Sequence, residues 1–154
     1  MSTITKLQGI VHEINRQYDL TPKQIVELVE TSKFELKIPL QIFQNRNLGI
    51  FETIVKFMHE NHSLSFIEIS KLVNRDNRTI WCSYHNANKK VPYKFKPKQT
   101  SETIMIPIEI FSYRENGLLV TLVKYCNQEL NLTNSKIAKL IDRNYKTIWA
   151  VSKK

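Results

Sequence analysis

The chain has 154 residues, with 23 Lys+Arg against 14 Asp+Glu, a formal charge of +9 that makes a polyanion the first partner to consider. An ordinary mix of 42% hydrophobic and 24% charged residues excludes a disordered chain, and only 3 Gly and 5 Pro exclude collagen-like repeats and argue against an all-β sandwich. No apolar run approaches the ~18 residues of a membrane helix, the start lacks a secretory signal pattern, and two cysteines, Cys82 and Cys126, suit a reducing cytoplasm rather than a disulfide scaffold.

Residues 1–37 carry no net charge. Leu7, Ile10, Val11 and Ile14 are spaced as one face of an amphipathic helix. Leu20, Ile25, Leu28 and Val29 mark a second helical stretch. The next segment, Ile38–Phe43, reads IPLQIF, and Ile106–Phe111 reads IPIEIF, an offset of 68 residues. Carried forward without gaps, that offset gives 17 identities in the 44 positions from 38 to 81, among them Arg46/Arg114 and Thr79–Ile80–Trp81/Thr147–Ile148–Trp149. An internal duplication organises the chain. At an offset of 44 the first segment falls on the same pattern, Leu20, Ile25, Leu28 and Val29 meeting Leu64, Ile69, Leu72 and Val73. The expected layout is a degenerate N-terminal helical repeat (1–37), a repeat at 38–90, a basic linker (91–105) and a repeat at 106–154. The excess charge belongs to the last three, at +3, +2 and +4.

The IPxxIF elements read two ways. Proline at a first helical position suggests a short helix. The alternation Leu36, Ile38, Leu40, Ile42 suits a strand, in which case the two copies could pair and tie the repeats together. The helical or extended lead-in reading is preferred. After it, Leu48 to Glu60 is a helix. Ser65 starts a short helix with Glu68 three residues on, a capping-box pattern. Asn74–Arg75 turns the chain, and Asp76 caps a last helix running to Lys90. In the second copy Thr133 starts the short helix, Asp142–Arg143 turns, and Asn144 caps a helix from Tyr145 to about Lys154.

The stretches LSFIEISKLVNRDNRTIWCSYHNANKK and LTNSKIAKLIDRNYKTIWAVSKK resemble the helix-turn-helix of sigma-factor region-4-like DNA-binding proteins, over about 25 residues in each copy. Asn74 and Asp142 stand in turns where such proteins often carry Gly; both residue types tolerate the left-handed conformation. The resemblance implies a mainly α fold of tandem helix-turn-helix repeats, with short strands at the IPxxIF elements as the alternative there. It also implies binding to double-stranded DNA; the residues themselves suggest no enzyme activity and no cofactor.

A recognition helix sets its first turn against base edges. Asn77 and Arg78, and then Tyr145 and Lys146, fall in that turn, and Arg and Asn can bond guanine and adenine bidentately. Thr79 and Thr147 are placed for phosphate oxygens, and Arg75 and Arg143 for the DNA backbone. Trp81 and Trp149 either pack on the domain, the preferred reading, or line the groove. Lys89, Lys90, Lys153 and Lys154 are phosphate contacts or solvated helix ends. The N-terminal copy departs, with Thr31, Lys33, Phe34 and Glu35 in the corresponding places. Glu30 and Glu35 would repel phosphate, so packing or a protein contact is expected there. The linker's fifteen residues could span up to ~50 Å, against ~34 Å between successive major-groove faces.

Other chemistry is not expected. There is no Gly-rich phosphate loop. His59/His62 and Cys82/His85 lack the second pair a zinc site needs. The expected role is a cytoplasmic, nucleoid-associated transcriptional regulator or architectural DNA-coating protein. The alternatives are a module contacting RNA polymerase or another regulator, and a structured-RNA binder.

Overall fold

The computed structural model describes residues 2–31, 36–96 and 102–154, and is mainly α-helical. The chain divides into two compact units, 1–35 and 36–154.

The first unit holds helices α1 (Thr3–Tyr18) and α2 (Pro22–Thr31). Ser2 caps α1, its Oγ accepting from the Thr5 N–H at 3.3 Å. Thr21 and Gln24 cap α2 reciprocally: Gln24 Oε1 accepts from the Thr21 N–H at 2.8 Å and Thr21 Oγ1 from the Gln24 N–H at 3.3 Å. Ile25 is buried, but Ile4, Leu7, Ile10, Val26 and Leu28 are each more than half exposed. Lys33, Phe34 and Glu35, and the side chains of Glu30 and Thr31, lie outside the described residues.

The second unit is built twice from the same parts. Strand β1 (Lys37–Pro39) runs into a 3-10 turn (Leu40–Gln44), then α3 (Ile50–Asn61), α4 (Phe66–Val73) and α5 (Asn77–Lys90). Strand β2 (Met105–Pro107) repeats the order with a 3-10 turn (Ile108–Ser112), α6 (Leu118–Gln128), α7 (Asn134–Leu140) and α8 (Tyr145–Ser152). Each IPxxIF element is thus part strand and part helix. Pro39 and Pro107, with φ −68° and −67°, are the extended residues that launch the 3-10 turns.

Local signals explain the helix boundaries. Ser65 Oγ accepts from the Glu68 N–H at 3.2 Å, and Glu68 Oε2 from the Ser65 N–H at 2.7 Å. That N–H holds the Glu68 carboxyl below its usual range. Asp76 caps α5 through both oxygens, accepting from the Thr79 N–H at 2.9 Å and its hydroxyl at 2.7 Å, and the hydroxyl bond above all lowers its pKa. Asn74 (φ 52°) and Asp142 (φ 49°) take the left-handed conformation between the last two helices of each copy. A second left-handed residue recurs at one repeat position in all three segments: Asp19, Ser63 and Asn131, at φ 52°, 54° and 51°.

The two copies are tied together through the IPxxIF elements, the strand alternative raised by their alternation. β1 and β2 pair antiparallel, Lys37 with Pro107, Ile38 with Ile106 and Pro39 with Met105. One core serves both copies. Ile38, Leu40, Phe43, Ile54, Met58, Ile69 and Ile80 lie in it with Ile106, Ile108, Phe111, Leu122, Cys126, Ile137 and Ile148, all fully buried. Phe43 and Phe111 meet with ring centroids 6.3 Å apart. The basic segment is anchored at both ends: Val91 is buried, Phe95 packs on the core, and Met105 is in β2. Residues 97–101 lie outside the described part. Burial raises the Cys126 thiol to about 11, which leaves it unreactive.

One buried charge stands out. Lys56 is fully buried, with its Nζ 2.5 Å from Glu60 Oε1 and 3.3 Å from Asn88 Oδ1, near the Tyr84 and Phe95 rings. Removing one member of such a pair leaves the other uncompensated. Lys56→Ala is expected to cost about 3–5 kcal/mol, whereas Lys56→Met with Glu60→Leu stays near wild type. Urea denaturation of both variants checks this. Equal losses in the two would contradict it.

Candidate functional site

The candidate site is the outer face of α5 and α8 with the turn that precedes each. Ile80 and Ile148 are buried and fix each helix on the core. Their opposite faces then point to solvent. Asn77 and Arg78 stand exposed in the first turn of α5, Tyr145 and Lys146 in that of α8.

Trp81 and Trp149, one turn further along, are 50% and 45% exposed, so each packs in part on the domain and in part faces solvent. Each is braced by the residue four positions on. His85 stacks on Trp81 at 3.9 Å, and Lys153 Nζ lies 3.5 Å over the Trp149 ring. His85 and Lys153 are themselves separated by the repeat offset, so the device is duplicated although the residue is not. Braced rings offer a flat aromatic surface at low entropic cost. Cys82, also exposed, shares the α5 face.

Four expected contacts are otherwise engaged. Arg75 Nη1 donates to the Val73 and Asn74 carbonyls, both at 3.0 Å, and Arg143 Nη1 to those of Ile141 and Asp142, both at 3.4 Å. These arginines close the ends of α4 and α7 rather than reaching outward. The Thr79 hydroxyl is donated to Asp76, while Thr147 is exposed and Asn144 caps α8 at the Lys146 N–H instead. Lys90 pairs with Glu52 at 2.9 Å, and that carboxylate also accepts from the Gly49 N–H at α3's start. Lys90 and Lys89 sit ~18 Å along α5 from Arg78, outside any single-turn contact. Lys154 is exposed at the chain end.

Two arginines beyond the sequence-derived set complete the turns. Arg114 donates to the Asn74 carbonyl from Nε and Nη2 at 2.9 and 2.6 Å, the same oxygen that Arg75 holds. Arg46 donates to the Asp142 carbonyl at 2.7 Å and pairs with its carboxylate at 3.3 Å. Each turn therefore gathers two guanidinium groups, one from each copy. Burial, and then the neighbouring arginine, lower the pKa of Arg75 and of Arg143. Such crowding concentrates positive charge beside the N-termini of α5 and α8, where backbone N–H groups also favour an anion. The sequence signal for Arg46 and Arg114 was their identity at the repeat offset.

His59 and His62 have structural work. His59 Nδ1 pairs with the Leu64 carbonyl at 2.8 Å, and its ring contacts Phe66 and Tyr84. His62 packs edge-on against Phe57, and burial lowers its pKa. Among the described residues, no three His, Cys, Asp or Glu side chains gather around a common metal position. No described helix is long and apolar enough to cross a membrane. No protein-family model, curated protein or solved structure matches the chain.

Proposed function

We propose that the chain is a non-enzymatic double-stranded-DNA-binding protein, a transcriptional regulator or an architectural DNA-coating protein acting in the cytoplasm. In this reading α4–α5 and α7–α8 are helix-turn-helix units resembling sigma-factor region 4, and α5 and α8 are their recognition helices. One observation carries it. Two core-anchored helices each present an exposed basic first turn, a braced tryptophan and a paired-arginine turn at their N-termini. Arg78 and Lys146 meet base edges or phosphates, with Asn77 and Tyr145 beside them. Thr147, Lys153 and Lys154 border the α8 face, and Lys89 the far end of α5.

Fluorescence-anisotropy titration of a random-sequence duplex and a matched RNA hairpin across salt tests the reading. Duplex preference is expected, with a log–log salt slope of several units, about −0.9 per phosphate neutralised. No duplex binding at low salt, or preference for RNA, overturns it.

A charge difference between the turns makes a finer prediction. The acid near the paired arginines is the cap, Asp76, in one copy and the turn residue, Asp142, in the other. Asp142 holds Arg46 in an exposed ion pair, worth ~0–1 kcal/mol. Asp142→Asn is therefore expected to tighten duplex binding severalfold at low salt and not at high salt, with little change in Tm. Weaker binding would contradict the placement of the turn against phosphate.

A protein-contact reading applies to the first unit alone. Residues 1–37 carry no net charge, and the apolar side chains of Ile4, Leu7, Ile10 and Val26 are each more than half exposed. RNA polymerase or another regulator is the partner class proposed there, and recovery of such a partner without nucleic acid is the check.

A further inference from the structure

The pairing of β1 with β2 fixes a symmetry. Shifting by the repeat offset of 68 carries Lys37, Ile38 and Pro39 onto Met105, Ile106 and Pro107. In the ladder, Ile38 faces its own counterpart, Ile106, while Lys37 faces the counterpart of Pro39, and Pro39 that of Lys37. Only a two-fold rotation through the central pair exchanges the copies and leaves the ribbon unchanged.

Contacts further out obey the same operation. The Leu40 N–H donates to the Ile104 carbonyl at 2.8 Å, and the Ile108 N–H to the Leu36 carbonyl at 2.8 Å. Arg46 reaches the Asp142 carbonyl at 2.7 Å, and Arg114 reaches that of Asn74 at 2.9 Å. Phe43 meets its counterpart Phe111 near the axis. Each copy uses the same patch toward the other, as in a symmetric dimer, and not the head-to-tail contact of beads in series.

We infer that one chain acts as a pseudo-dimer that reads two inverted half-sites on one duplex, an imperfect palindrome rather than a direct repeat. This rests on the DNA-binding reading above. Duplex DNA has local two-fold axes across its length, and a two-fold protein matches half-sites in inverted order. The halves differ because the first turns differ, Asn77–Arg78 against Tyr145–Lys146. The duplication supplies within one chain the symmetry that other proteins obtain by dimerising, and the fixed ribbon sets the half-site spacing.

Selection of binding sites from a random duplex pool tests this, using the full chain and the variant Tyr145→Asn/Lys146→Arg, which makes the two first turns alike. The wild-type chain is expected to enrich an unequal inverted repeat, bound one chain per duplex. The variant is expected to enrich an equal one, at least tenfold preferred over the same half-sites placed as a direct repeat. Enrichment of direct repeats, of a single half-site, or of sites holding two chains overturns the inference and leaves DNA binding standing. Failure of the wild-type chain to retain any duplex at low salt overturns the DNA reading as well.

Discussion

Arg78→Glu combined with Lys146→Glu is expected to abolish duplex binding, with an affinity loss of at least about 100-fold, and to leave the fold intact. Each side chain is exposed in the first turn of a core-anchored helix. A base or phosphate contact of this kind is worth about 1–3 kcal/mol. Two reversals both remove contacts and place carboxylates against phosphate. The folded chain loses nothing comparable, since surface changes of this kind stay within about 0.5 kcal/mol and acids near a helix N-terminus are mildly stabilising. Anisotropy titration at fixed salt and a thermal melt measure the two sides. Unchanged affinity with an unchanged melt would remove α5 and α8 from the interface.

Phe43→Ala is expected to destabilise both copies at once. Phe43 is fully buried and packs against Phe111 across the pseudo-two-fold axis. Truncating a buried Phe costs about 3–5 kcal/mol, a large part of the 5–15 kcal/mol or so that holds an ordinary domain. The lesion lies in the first copy, yet the core is shared, so the second copy must unfold with it. The chain's two tryptophans report one copy each, Trp81 on α5 and Trp149 on α8. Urea transitions of Phe43→Ala in Trp81→Phe and Trp149→Phe backgrounds are expected to coincide, both shifted to lower urea. A shifted Trp81 transition beside an unshifted Trp149 transition would show that the copies fold independently.

Much of the local structure was legible in the sequence because it depends on residues two or three positions apart. Ser65 with Glu68, Asp76, Thr133 and Asn144 all cap the helices their side chains announced. Ile54, Val55 and Met58, buried in α3, lie at the offset of 44 from Ile10, Val11 and Ile14, whose spacing marks one helix face. The assembly of the two copies was less legible. Alternation at Leu36–Ile42 raised a strand, and Pro39 raised a helix. Both occur in succession, and the register that makes the axis depends on residues 68 apart.

The exposed positions of the candidate site follow from the same short-range signals. Arg78 and Lys146 follow from their place after a cap. The inward turn of Arg75 and Arg143, and the crossing of Arg46 and Arg114 into the other copy's turn, depend on three-dimensional neighbours that spacing does not encode. Lys56 and its counterpart Lys124 differ in burial, Lys124 being only partly buried, and the sequence signal that separates them is Glu60 four residues after Lys56, where the second copy has Gln128.

In the proposed complex the exposed faces of α5 and α8 contact duplex DNA together, and the two tryptophans sit on those faces. Intrinsic fluorescence during duplex titration at low salt, in the Trp81→Phe and Trp149→Phe variants, tests it most directly. Each remaining tryptophan is expected to change in intensity or wavelength, with the same midpoint as the anisotropy change, and both signals to revert at high salt. Duplex binding by anisotropy with neither tryptophan responding would contradict it.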